Sequence, residues 1–354
     1  MRPTLVTLHT AAFAHNLAVV RSHAPHSKVM AVIKANAYGH GLLRAARALH
    51  DADAYAVLEL DAGVRLRDAG FQQPIVLLEG FFEARELPVL AGHRLTPVIH
   101  QREQLEMLAD WRGQHRFDVL LKLNSGMNRL GFDAAAFPAA LQAARDNPRI
   151  ASIMLMTHFA DADDGRGVDW QMQRFAKMVQ SDELPRTLAN SAAILRYPHT
   201  HADWVRPGIM LYGASPFAEQ CTAQLGLRPA MTLSSRIIAV QELQPGERIG
   251  YGGLFVAEQA MRVGIVACGY ADGYPRHAPG GTPVLVEGRR TQILGRVSMD
   301  MLYVDLCGLP KAGVGSAVTL WGEGLSVEEV AHAAGTISYE LLCAVTPRVA
   351  VAEE

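Results

Sequence analysis

From residue 10 to about residue 215 the chain alternates between continuous apolar runs and segments whose apolar residues recur at helical spacing. Helical AAFAHNLAVVRSHA precedes VMAVIK, GLLRAARALHDA leads to YAVLEL, DAGVRLRDAG to PIVLLEG, and ARELPVLAGH to LTPVIH. The alternation continues from QREQLEMLADWR to FDVLLKLN, from AAAFPAALQAARDN to IASIMLMTHF, from DWQMQRFAKMVQ to RTLANS, and from AAILRY to WVRPGIMLYG. Runs that are apolar at nearly every position suit strands of a parallel sheet covered on both faces. Eight such β/α units in about 210 residues predict a (β/α)8 barrel over residues 10–228. An open doubly wound sheet is the competing architecture.

The pattern changes after residue 228. MTLSSRIIAVQEL, MRVGIVACGY, TPVLVEGRRTQILGRV, MLYVDLCG and SAVTLWG are strand-like runs broken by Gly, Pro and Asp, and helical periodicity is nearly absent until SVEEVAHAAG. This predicts a mainly-β domain over 229–354. The N-terminal PTLVTLH adds a strand, most naturally to this second domain.

Composition narrows the classes. The 354 residues are 49% hydrophobic, enough for a large core in two ordinary domains. A net charge of −2 without a basic block argues against a nucleic-acid partner. No run of roughly 18 apolar residues occurs, so no membrane span is expected. The opening MRPTLVTLHTAAFAHN lacks the apolar core of a signal peptide. Four scattered cysteines, Cys221, Cys268, Cys307 and Cys343, form no CxxC and suit reduced thiols in the cytoplasm. The chain holds 28 Arg but only 5 Lys, so lysine is hardly used as generic surface charge and the position of each lysine carries information.

Barrel sites form at the C-terminal ends of the strands. The residues expected there are Lys34, Lys122 with Asn124, His158, Asn190 with Ser191, and Arg206. Lys34 ends the apolar run VMAVIK and could be a salt-bridge partner, a phosphate binder or an amine nucleophile; a lysine desolvated near other cations forms Schiff bases. Tyr38 would share its face if a helical turn begins at Ala37. Arg129 in KLNSGMNRLGF is either a solvated loop arginine or a carboxylate clamp. His158 in MTHFADADD invites a metal with Asp161, Asp163 and Asp164, but the spacing matches no metal loop, and those acids are expected to cap the next helix. No metal is expected. Asn190 and Ser191 before a helical stretch, with the glycine turn RPGIMLYG, resemble the phosphate site found near the last strands of barrels. In the second domain Tyr251, Tyr270, Asp272, Met299 and Asp300 lie at glycine-flanked turns and strand exits, where either turn packing or a site would place them.

Together these motifs resemble those of bacterial alanine racemases. VIKANAYGHG, LKLNSGMNRLGF, MTHFADAD, NSAA, WVRPGIMLYG, IGYGG, VACGYADGYPR and GRVSMDM occur in that family's order and cover essentially the whole chain. The resemblance implies a (β/α)8 barrel, a β-domain, and a head-to-tail homodimer in which each site combines one barrel with the partner's β-domain. It implies that Lys34 binds pyridoxal 5'-phosphate as a Schiff base and acts as one acid/base, opposite Tyr251 from the other subunit. Arg206 would meet the pyridine nitrogen. His158 would lie against the ring, linking Tyr251 with Arg206. Tyr38, Asn190, Ser191 and the backbone of Gly208 and Ile209 would hold the cofactor and its phosphate. Arg129 and the Met299 N–H would hold the substrate carboxylate, supported by Asp300. Tyr270 would narrow the entrance, and Lys122 would orient Arg129 as a carbamate.

Three departures stand out: Asn124 where many members have Asp, Ser298 where many have Cys, and a TPRVAVAEE end without a terminal tyrosine. The substrate implied is alanine, with serine as a slower one. D-Alanine can feed the cell wall or be degraded as a nutrient, and residues do not separate the two. A non-catalytic pyridoxal-phosphate carrier is opposed by the second domain. A decarboxylase is opposed by Arg206.

Overall fold

The computed structural model describes residues 2–180 and 183–354. The chain divides into two compact units. One holds the N-terminal stretch through Asn16, Tyr38–His40 and Tyr212–Glu354, and the other Leu17–Ala37 and Gly41–Leu211.

The first strand, β1 (Leu5–Leu8), belongs to the former unit. The latter is a closed barrel of β2 (Lys28–Val32), β3 (Ala54–Val57), β4 (Ile75–Leu77), β5 (Leu95–Ile99), β6 (Phe117–Lys122), β7 (Ile150–Met156), β8 (Arg186–Thr187) and β9 (Trp204–Val205). Every neighbouring pair is parallel, and Lys28 opposite Trp204 closes the ring. β3 and β4 are buried at every residue, as expected of strands with side chains inside the barrel and helices outside. The eight strands are those expected from the apolar runs, but shorter. β8 and β9 keep two residues each because a turn and a helix start take up the rest of RTLANS and WVRPGIMLYG. Among the intervening helices, Asp169–Val179 buries Gln171, Phe175 and Val179 along one stripe. Burial of Phe175 and Val179 contributes about 1.5–3 kcal/mol each.

In the other unit a 13-residue strand, β10 (Met231–Leu243), organises the sheet. Small β11 (Arg248–Ile249) and β12 (Phe255–Val256) form a separate pair. The larger sheet contains β13 (Met261–Val266), β14 (Pro283–Val286), β15 (Arg289–Leu294), β16 (Leu302–Asp305), β17 (Ala317–Trp321) and β18 (Ala350–Glu353). β10 pairs with β17 through its first half and with β13 through its second, and β13, β16, β15, β14 and β17 complete the circuit. Register shifts in β10 at Leu233/Ser234 and Ile237/Ala239 bend it so that one strand serves both partners. β1 pairs antiparallel with β10 and parallel with β18. None of the four cysteines is in a disulfide, and no described helix is long and apolar enough to cross a membrane.

Candidate active site

Lys34 lies just past β2, where the Ile33 N–H donates to Ala56 O at 2.9 Å. The segment after it departs from expectation. Ala35, Asn36, Ala37 and Tyr38 have φ between 51° and 56°, a left-handed turn rather than a right-handed one. L-residues pay roughly 1–2 kcal/mol each for this hand, so the turn is held by its surroundings. The Asn36 Oδ1 accepts from Leu42 N at 3.0 Å, its carbonyl accepts from Gly41 N at 2.9 Å, and Tyr38 O pairs with His40 Nδ1 at 2.9 Å.

Arg206 follows β9 and is buried. It donates to Thr187 Oγ1 at 2.8 Å, Thr157 O at 2.6 Å and Leu188 O at 3.1 Å. Burial pulls its pKa down to about 9, which leaves the guanidinium charged at neutral pH. A fourth, longer contact reaches His158 Nδ1 at 3.5 Å. Burial first, then Arg206, Lys122, Arg129 and Lys34, hold His158 well below its ordinary pKa. The ring is therefore neutral, and because guanidinium only donates, Nδ1 is the acceptor and Nε2 carries the proton.

Lys122 ends β6 and is 7% exposed. Burial, then Arg206, Arg129 and Lys34, push it down to about 8, against an opposing pull from Glu79. Its neighbour Asn124 shapes the loop that carries Arg129. Asn124 Oδ1 accepts from Gly126 N and Asn128 N at 3.0 Å each, and Nδ2 donates to Asn128 Oδ1 at 3.0 Å. Asparagine thus keeps the acceptor role an aspartate would have and adds a donor. The loop closes through Phe132 N to Lys122 O (2.9 Å) and Asn124 N to Phe132 O (2.8 Å). At Gly131, with φ 116°, a Cβ would sit 2.9 Å from three backbone atoms of residues 122–124, so only glycine fits. Lys122, Asn124, Ser125, Arg129 and His158 line a small cavity here.

The acids after His158 do other work than expected. Asp161 accepts from Trp170 Nε1 at 3.0 Å and pairs with Arg166 at 3.5 Å, and Asp164 accepts from Arg166 N at 2.8 Å. The helix they precede is capped by no side chain. Among the described residues no group of His, Cys, Asp or Glu is arranged to hold a metal.

At the last strands Asn190 Oδ1 caps the helix Ser191–Arg196 by accepting from Ala193 N at 3.1 Å. Ser191 Oγ accepts from Gly208 N at 2.8 Å and keeps its own proton to donate. Ile209 begins the short turn that follows.

The barrel thus gathers Lys34, Lys122, Arg129, His158 and Arg206 within electrostatic reach of one another, with Ser191 and Gly208 at the end of the strand series. Four cations bearing on one neutral ring favour an anionic occupant, as a phosphorylated cofactor and a carboxylate substrate would be.

The remaining candidates belong to the other unit. Tyr38 is buried, which pushes its phenol pKa up. It stacks on Tyr212 at 4.5 Å and meets Tyr339 at 6.0 Å between ring centroids. Tyr251 stands 70% exposed on the Gly-rich turn Tyr251–Gly253, between β11 and β12. Tyr270 and Met299 are brought together by backbone bonds: Tyr270 N donates to Ser298 O at 3.1 Å and Ala271 N to Met299 O at 3.0 Å. Asp300 is one residue further on.

Three residues in contact with these candidates escaped the sequence reading. Gln171, fully buried, donates to His158 O at 3.1 Å and to Ser125 Oγ at 3.0 Å. A glutamine in the same apolar stripe as Phe175 and Val179 was the available signal. Thr187 on β8 holds Arg206 and carried no signal. Tyr339, in the helix Ser338–Ala344, sits beside Tyr38.

Comparisons with known proteins match this arrangement over its whole length. Residues 8–216 match the family model for the alanine racemase N-terminal domain, and residues 230–352 that for the C-terminal domain. A curated alanine racemase of Nitrosospira multiformis is 61% identical over 350 residues, 98% of either chain. One from Nitrosomonas europaea is 60% identical over 353 residues, again 98% of each. The crystal structure of biosynthetic alanine racemase from Pseudomonas aeruginosa superposes with a TM-score of 0.97 at 48% identity, covering 100% of both chains. The structure of alanine racemase from Acinetobacter baumannii gives 0.94 at 40%, also over 100% of both chains. The chain belongs to the alanine racemase family.

Proposed function

We propose that this protein interconverts L-alanine and D-alanine with bound pyridoxal 5'-phosphate. The observation that carries the reading is the convergence of Lys34, Lys122, Arg129 and Arg206 on a neutral His158 at the rim of a parallel barrel, in a chain that is 61% identical to a curated alanine racemase. When bound, the cofactor supplies an aldehyde that joins an amine and a conjugated ring that accommodates electrons from Cα.

The chain's own residues have separable tasks. Lys34 Nζ would hold the cofactor and would move a proton at one face of the substrate Cα. Tyr251 Oη, contributed by a second copy, moves a proton at the opposite face. Two bases on opposite faces invert the centre without turning the substrate over. The high exposure of Tyr251 on a glycine turn supports its donation to another copy. Arg206, fixed by three oxygen acceptors, would meet the cofactor's ring nitrogen, and its permanent charge would disfavour protonation there. His158, as the neutral Nε2–H form, can relay between Tyr251 and Arg206. Tyr38, Asn190, Ser191, Gly208 and Ile209 form the cofactor and phosphate end, and Tyr339 joins them through its contact with Tyr38. Arg129 and the Met299 N–H bind the substrate carboxylate, Asp300 supports them, and Tyr270 restricts the opening to small side chains. Lys122 orients Arg129 as a carbamate. The protein acts in the cytoplasm as a homodimer.

The test is direct. Purified protein loaded with cofactor should convert L-alanine to D-alanine on a chiral column, faster than it converts serine. Lys34→Ala should abolish both the turnover and the visible absorption of the linked cofactor. A protein that keeps the absorption but leaves L-alanine unchanged would contradict the reading.

A further inference from the structure

Arg348, in the β-rich unit, has no part in the steps above, although it contacts Asp300, which does. We propose that Arg348 is a positioning residue that sets the Met299 loop, and through it the affinity for the substrate carboxylate. The inference rests on the reading that the Met299 N–H binds that carboxylate.

Arg348 lies shortly after the helix Ser338–Ala344 and bridges two acids. Its Nε donates to Asp272 Oδ1 at 2.7 Å and its terminal nitrogen to Asp300 Oδ1 at 2.6 Å. Each acid sits on one of the two turns that carry candidate residues, Asp272 two residues after Tyr270 and Asp300 next to Met299. Asp272 is 1% exposed. A carboxylate buried that deeply persists only if its oxygens are satisfied. Besides Arg348 it accepts from Gly269 N at 3.0 Å and from Arg2 at 3.2 Å. Arg2 also reaches Asp300 O at 2.8 Å.

The two turns are pressed together with no room to spare. A Cβ on Gly269 would stand 2.3 Å from Ser298 O and 2.4 Å from Met299 O. The amides of Tyr270 and Ala271 take those same two carbonyls. Ser298 N donates to Met301 O at 2.9 Å, which closes a tight turn with Met299 at its exposed tip. Thr346, two residues before Arg348, donates its hydroxyl to Ala271 O at 2.8 Å and its amide to Asp272 O at 3.2 Å. The backbone bonds fix the turns at one end. The Asp272–Arg348–Asp300 bridge fixes the Asp300 end, and a planar guanidinium with two divergent donors is suited to span both acids at once. The bridge touches neither substrate nor cofactor on this reading, so Arg348 acts through the loop it holds.

The experiment compares wild type, Arg348→Met and Arg348→Lys as cofactor-loaded proteins. KM and kcat are measured for L-alanine. Propionate, which is alanine without its amine, is titrated by calorimetry as a probe of carboxylate binding that needs no turnover. Arg348→Met is expected to raise KM on the order of 10-fold and to weaken propionate by a similar factor. Its kcat should hold within about twofold and its cofactor absorption should be unchanged. Arg348→Lys should recover part of the loss, and low-millimolar guanidinium should restore the Met variant. Unchanged KM and propionate affinity in a folded Arg348→Met protein would overturn the proposal, as would a fall in kcat and cofactor absorption without a change in KM. If Arg348→Met does not fold, Arg348→Lys decides, since one ammonium cannot hold the Asp272 and Asp300 carboxylates in the geometry of the planar guanidinium, and unchanged KM and propionate affinity in that variant would overturn the proposal. A wild type that neither racemises alanine nor binds propionate would instead overturn the reading beneath the proposal.

Discussion

Lys122 offers the sharpest test of the cationic rim. Its ammonium is buried and faces Arg206, Arg129 and Lys34, and its pKa falls from 10.5 to about 8. Each tenfold change in proton affinity is worth about 1.36 kcal/mol, so the charged form is disfavoured in the fold by on the order of 3 kcal/mol. The folded pKa lies below the unfolded one, so between about 8 and 10.5 the unfolded chain binds more protons and stability rises with pH. Below about pH 8 the full penalty is in force. Lys122→Met keeps the stem and drops the charge. In buffer free of carbon dioxide at pH 7 it should be more stable than wild type by up to about 3 kcal/mol in urea unfolding, and the gap should close as pH approaches 10.5. The same depression leaves about a tenth of the side chain as free amine at pH 7, the form that attacks carbon dioxide. The products are a carbamate and a released proton. Added bicarbonate should therefore stabilise wild type but not Lys122→Met, and labelled bicarbonate should give a carbamate carbon signal from wild type alone. A Met variant no more stable than wild type at pH 7 without bicarbonate, with no convergence at high pH, would refute the argument.

Other expectations follow from single contacts. Arg206→Lys cannot satisfy Thr157 O, Leu188 O and Thr187 Oγ1 with one ammonium. It should cost about 2–4 kcal/mol in urea unfolding, in line with charged hydrogen bonds and the acceptors left unpaired. Gly131→Ala puts a Cβ against the backbone of residues 122–124. It should destabilise by about 1–3 kcal/mol and raise the KM for alanine by displacing the Arg129 loop. Inactive Lys34→Ala and Tyr251→Phe proteins, mixed after subunit exchange, should regain about a quarter of wild-type activity, because half of the dimers then hold one intact site of two. No recovery would argue against sites shared between copies.

The barrel was legible because its strands are apolar at nearly every position. Periodicity of this kind reports burial on two faces directly. The long strand Met231–Leu243 coincides with its apolar run, and the helical periodicity of SVEEVAHAAG corresponds to the helix Val327–Ala333. What escaped depends on contacts made far along the chain or on unusual backbone. TPVLVEGRRTQILGRV reads as one run but folds as two strands, since Glu287 and Gly288 both take positive φ and turn the chain back. In KANAY only Asn36 tolerates the left-handed region readily; alanine and tyrosine have no local preference for it, so tertiary contacts impose the turn on them. Lysine scarcity marked Lys34 and Lys122 as unusual, yet the depressed pKa of Lys122 comes first from burial and then from Arg206, Arg129 and Lys34, none of them adjacent to it in the chain. Arg348 looked like one of 28 arginines until two acids, 76 and 48 residues away, were seen to share it.

The claim that matters most is proton transfer at Cα by Lys34 and Tyr251 from opposite faces. Proton NMR of alanine in deuterium oxide with cofactor-loaded protein tests it most directly. Wild type should form D-alanine from L-alanine with deuterium at Cα, and Tyr251→Phe should lose exchange for one enantiomer far more than for the other. Equal rates in the variant and wild type, or no D-alanine from wild type, would contradict it.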